Sequence, residues 1–107
     1  MRRLFALFTL LPGSIAAESP PQVVVDIAPV RALVAEVMKG VGTPSQIIPI
    51  GASPHGYAMR PSEARALRGA DLVIWVGPSL THWLEEPLDT LASDADRLTL
   101  LPQEGTI

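Results

Sequence analysis

The chain has 107 residues, of which 48% are hydrophobic and 18% charged, with a formal net charge of −3 and no cysteine. These values suit one small folded domain and exclude a disordered tail. No basic stripe exists to neutralise phosphates, so nucleic acid is not an expected partner, and neither a disulfide framework nor a thiolate zinc site is possible.

Arg2 and Arg3 precede an apolar run over residues 4–11, which Pro12 and Gly13 break. Ser14-Ile15-Ala16 then supplies small residues at the positions a signal peptidase reads. This is the pattern of a secretory signal, with cleavage near Ala16 or Ala17. The run is too short to span a bilayer. Residues 1–17 are therefore assigned to a signal peptide and 18–107 to the folded part. Removing Arg2 and Arg3 leaves six of the eight basic residues against eleven acidic ones. A bacterial lipoprotein needs a cysteine at its cleavage site. With none present, the exported product is expected in a periplasm without a membrane anchor.

After a polar lead-in, Val23-Val24-Val25-Asp26-Ile27 reads as a strand covered on both faces. Pro29 suits the first turn of a helix, and Asp26 beside it reads as a cap. Val30, Leu33, Val34, Val37, Met38 and Val41 follow at helical spacing as one continuous apolar stripe. Gly40, Gly42 and Pro44 end that helix. Residues 46–50 read as a second strand, with Pro49 near its end or at a sheet edge. Residues 61–68 form a short helix, with Pro61 at its start and Glu63 in its first turn. Residues 72–76 make a third strand with no polar face, hence central. Leu80, Trp83, Leu84, Leu88 and Leu91 give another helical stripe, which Pro87 is expected to kink or break. Trp75 and Trp83 are both expected in the core. Residues 97–101 form a weaker fourth strand.

Strands alternating with helices predict an α/β fold: a parallel sheet with right-handed crossovers and helices on both faces. The fourth strand has no closing element after it, and one face of the sheet is expected to lack cover. The chain looks like the first lobe of something larger.

The candidate functional residue is His55. It lies in the loop between the second strand and the helix at Pro61, which carries Gly51, Pro54 and Gly56 before Tyr57. Pro54 fixes its own φ and keeps Ser53 extended, so the loop is stiff. In an open α/β sheet, ligands bind outside the carboxyl ends of strands, where this loop lies. A lone loop histidine is more often solvated than a ligand. As a ligand, neutral imidazole suits zinc and is accepted by manganese. As a general base it lacks a neighbouring nucleophile. His82 reads as a solvent-facing residue. Arg60 has two readings, pairing with an acid or bonding the loop backbone.

Three other motifs fail on structural grounds. Gly40-Val41-Gly42 begins like a dinucleotide fingerprint but follows a helix and precedes a strand, the reverse of what is needed. Gly51 and Gly56 have P-loop spacing, but Tyr57-Ala58 stands where a Lys-Ser/Thr pair must be. The Gly51 to Gly56 stretch has one residue too many for a nucleophile elbow, and Pro54 removes a backbone donor.

Gly51-Ala52-Ser53-Pro54-His55-Gly56-Tyr57-Ala58-Met59-Arg60-Pro61-Ser62, followed by Ala70-Asp71-Leu72-Val73-Ile74-Trp75-Val76-Gly77-Pro78, resembles the metal-binding periplasmic proteins of zinc and manganese ABC importers. The tryptophan and Gly-Pro fit the zinc branch best. The resemblance runs from Val23 onward. It implies a two-lobed metal-binding protein of which this chain is the N-terminal lobe, His55 as a metal ligand, zinc as cargo with manganese the alternative, a membrane permease as partner, and no catalysis. Two departures are visible. Gly56 stands where the family carries an acid, and the family's other ligands lie beyond the point this chain reaches. One imidazole cannot hold zinc tightly, since such sites use about four ligands. Alone, the 107-residue product is expected to bind zinc weakly or not at all. An exported α/β hydrolase and a non-functional truncated product are the remaining alternatives.

Overall fold

A computed structural model describes residues 19–102; the signal-peptide assignment falls outside the described residues. Four strands form one parallel sheet: β1 (Val23–Val25), β2 (Ser45–Gln46), β3 (Leu72–Trp75) and β4 (Asp96–Thr99), in spatial order β2-β1-β3-β4. The helices are α1 (Ala28–Val37), α2 (Pro61–Arg68) and α3 (Glu85–Leu91), with short 3₁₀ helices at Pro54–Gly56 and His82–Leu84. The predicted α/β order is the observed one.

The topology dictates which helix covers which face. The β1-to-β2 crossover runs one way along the sheet, and the next two run the other way. Right-handed connections therefore place α1 on one face and α2 and α3 on the opposite face. Packing agrees. Val24, Val73 and Trp75 join Leu67 of α2 and Leu84, Leu88 and Ala92 around α3 in one buried core. Strand alternation turns Val23, Val25 and Ile74 the other way, toward α1. Register brings Ile74 opposite Leu98 and Trp75 opposite Thr99, whose hydroxyl accepts the Trp75 indole N–H at 2.9 Å.

Several details depart from the expectations. The second strand pairs only over Ser45–Gln46. The N–H groups of Ile47 and Ile48 still reach the carbonyls of Val25 and Asp26 at 3.0 and 2.9 Å, and Pro49, without an N–H, ends the pairing at this edge. The fourth strand starts one residue early, at Asp96. Pro87 breaks nothing. It is the third residue of α3, in the first turn, where a backbone N–H has no partner within the helix.

Asp26 does not cap α1, whose N-cap is Ile27 with no side-chain cap bond. Its carboxylate is fully buried, accepting the N–H of Ile27 on Oδ1 and of Val76 on Oδ2, each at 2.8 Å. It thus joins the carboxyl ends of β1 and β3, the end of the sheet where the histidine loop lies. The apolar stripe of α1 is only half used. Val30 is buried, but Leu33 is 70% and Val37 85% exposed. Val30, Leu33, Val34 and Val37 line a wholly apolar groove with Ile74, Leu98 and Leu100, so this face does lack cover among the described residues.

Candidate metal site

The loop after β2 is shaped by a few fixed points. Gly51 has φ 91°, a left-handed conformation that glycine adopts without strain. Ser53 is extended (φ −75°, ψ 122°), as the following proline requires. Pro54, His55 and Gly56 then make a single 3₁₀ turn, with the N–H of Gly56 3.5 Å from the Ser53 carbonyl. His55 sits at the crest of this turn and is exposed.

Both flanks of the histidine are held from outside the loop. On one side, the indole N–H of Trp83 donates to the Pro54 carbonyl at 2.6 Å. On the other, the Tyr57 hydroxyl donates to the Glu63 carboxylate, 2.7 Å from Oε1 and 3.0 Å from Oε2. Glu63 Oε1 also accepts the backbone N–H of Arg60 at 2.7 Å, so one carboxylate ties the loop to the start of α2. Arg60 thus meets an acid through its backbone. The rings of Tyr57 and Trp83 lie 6.1 Å apart at 59°, a tilted contact that closes the frame. The bond to Glu63, then burial, raise the Tyr57 pKa above 10, so at neutral pH the phenol keeps its proton and remains a donor.

His82 lies solvent-exposed as expected, its side chain 85% accessible and Nδ1 3.8 Å from Glu85 Oε2. Trp83 is not a plain core residue: it is half-buried and spends its N–H on the histidine loop. The frame around His55 was only partly visible in the chain. Glu63 three residues after Arg60 has the capping-box spacing. No local signal connects Trp83 to Pro54, which lies 29 positions earlier.

Chemically, the loop offers one accessible imidazole on a fixed backbone. Among the described residues no hydroxyl or carboxylate hydrogen-bonds that imidazole. Among the described residues, no three His, Cys, Asp or Glu side chains gather so as to hold a metal ion. Among the described residues no helix is long and apolar enough to cross a membrane.

The fold is that of periplasmic metal-binding proteins. It matches the manganese-bound periplasmic metal-binding protein of Candidatus Liberibacter asiaticus with a TM-score of 0.67 at 18% identity, over 80% of this chain and 33% of that one. It matches zinc-bound AdcA of Streptococcus pneumoniae with a TM-score of 0.63 at 20% identity, over 74% and 17%. These neighbours are two-lobed, and this chain corresponds to one lobe. Within that fold, residues 23–104 match the family described as "ZnuA: Zinc-uptake complex component A periplasmic", and the chain belongs to it. High-affinity zinc uptake system proteins ZnuA are similar: that of Paracoccus denitrificans is 46% identical over 86 residues, 80% of this chain and 26% of the relative. That of Brucella abortus is 39% identical over 93 residues, 87% and 28%. The chain thus spans little more than a quarter of the length of these relatives.

Proposed function

We propose that this chain is the first lobe of a zinc-capturing component of an ABC importer, and that His55 is one of its zinc ligands. Family membership supports the cargo and the periplasmic setting. The observation that carries the residue assignment is the clamped loop: an exposed imidazole with Pro54 before it tethered by Trp83 and Tyr57, two residues after it, tied to Glu63. A captured ion needs ligands of fixed position and an exit path, and a stiff exposed loop provides both. Residues 1–17 act as the export signal and residues 18–107 as the lobe. The remaining ligands come from the part of the fold that the relatives possess and this stretch does not cover. The protein hands zinc to a membrane permease and performs no chemistry on it, so no residue is catalytic.

The test is zinc affinity by chelator competition on the protein as its host produces it, with and without His55→Ala. Loss of one imidazole ligand is expected to weaken zinc binding by about a hundredfold or more, since even partners outside the ligand shell cost about 10–100-fold. Unchanged affinity in His55→Ala would remove His55 from the site. Parallel titration with manganese separates the two cargoes; preference for manganese would overturn the zinc assignment.

A further inference from the structure

We propose that Trp83 is a positioning residue for His55, setting the direction of the imidazole through the Pro54 carbonyl; this rests on the reading of His55 as a zinc ligand. The turn bearing His55 cannot hold itself. It is three residues long, and its own closing hydrogen bond is 3.5 Å, the weak end of the range. The bond from the Trp83 indole to the Pro54 carbonyl is 2.6 Å, at the short end. The external tether is therefore the stronger constraint. Pro54 transmits it efficiently. Its φ is fixed by the ring, so holding its carbonyl fixes the peptide plane leading into His55.

The tether has a rigid root. Trp83 lies in the 3₁₀ helix His82–Leu84, which runs directly into α3, and Leu84 and Leu88 are fully buried in the core. The Trp83 ring also meets Tyr57, itself tied to Glu63. The histidine is thus held between a post from α3 on one side and the start of α2 on the other. Only the indole N–H, not ring volume, makes the bond to Pro54.

The experiment compares Trp83→Phe, His55→Ala and Val30→Ala in the protein as its host produces it, at 25 °C where each is folded. Zinc affinity and thermal midpoint are read for each. Val30 is a buried residue of α1, on the far face of the sheet, so its truncation lowers the midpoint without touching the loop. Trp83→Phe is expected to weaken zinc about tenfold, chiefly through faster dissociation, while Val30→Ala leaves affinity unchanged. If His55→Ala abolishes tight binding and Trp83→Phe leaves it intact, the positioning role is refuted and the ligand assignment stands. If His55→Ala has no effect, both fall. Should Trp83→Phe fail to fold, proton exchange at the indole N–H of the unmodified protein decides. It is expected to be slow and slower still with zinc; exchange as fast as in free tryptophan would overturn the proposal.

Discussion

Replacing Asp26 by asparagine tests how the site end of the sheet is held. The carboxylate is fully buried and each oxygen accepts one backbone N–H at 2.8 Å, from Ile27 and from Val76. Asparagine keeps the volume but turns one acceptor into a donor that faces an N–H. One bond is lost and two donors, the backbone N–H and the new amide NH₂, face each other without an acceptor, which costs at least about 1–3 kcal/mol. Against a total stability of about 5–15 kcal/mol that is a large share. The pH dependence carries more information than the magnitude. Burial raises the Asp26 pKa above 3.8, and the hydrogen bonds from Val76 and Ile27 offset this only in part. The native state then holds the proton more tightly than the unfolded chain. Stability from this group is full below the unfolded value, falls as pH rises through the raised native value, and is level above it. Asparagine has no such proton. Urea unfolding of both forms from pH 3 to pH 8 should therefore show a stability gap that narrows as pH rises. A gap that widened with pH would mean that the hydrogen bonds outweigh burial, and the reasoning would fail.

Other substitutions probe the rest of the lobe. Leu88→Ala, at a fully buried core position, should lose about 2–5 kcal/mol in urea unfolding. Val37→Glu, on the same kind of apolar helix stripe but 85% exposed, should change stability by no more than about 0.5 kcal/mol. A large loss there would mean that something covers the α1 groove. Gly77→Ala should destabilise by about 1–3 kcal/mol, because Gly77 has φ 136° and a Cβ would stand 2.7 Å from the Leu101 carbonyl oxygen. Gly56→Ala should instead stabilise by about 0.4–1 kcal/mol, since its Cβ meets nothing within 4 Å and its φ is not positive; a loss of stability would show that the turn requires glycine.

Neither space nor backbone strain demands glycine beside His55. A longer side chain at position 56 would project into open solvent next to the imidazole. A carboxylate placed there would therefore alter the charge near the proposed ligand without a steric clash at its Cβ.

The strands and helices were readable because their causes are local. Val23-Val24-Val25 and Leu72-Val73-Ile74-Trp75 are β-branched or bulky on both faces, and helix α2 begins at Pro61 and ends at Arg68 as its sequence signals require. Periodicity was a poorer guide to burial. It correctly aligned Val30, Leu33, Val34 and Val37 on one side of α1. It could not say that the sheet beneath, with α2 and α3 both sent to the opposite face by crossover handedness, would leave Leu33 and Val37 exposed. The contacts that frame His55 were hidden for a different reason. Asp26 to Val76 spans 50 positions and Trp83 to Pro54 spans 29, and each pairs a side chain with a backbone group that nearly every residue possesses. A backbone partner leaves no complementary residue type in the chain to be matched. His55 could be singled out from the sequence, whereas the groups that aim it emerge only when the sheet brings the ends of β1, β2 and β3 to one side.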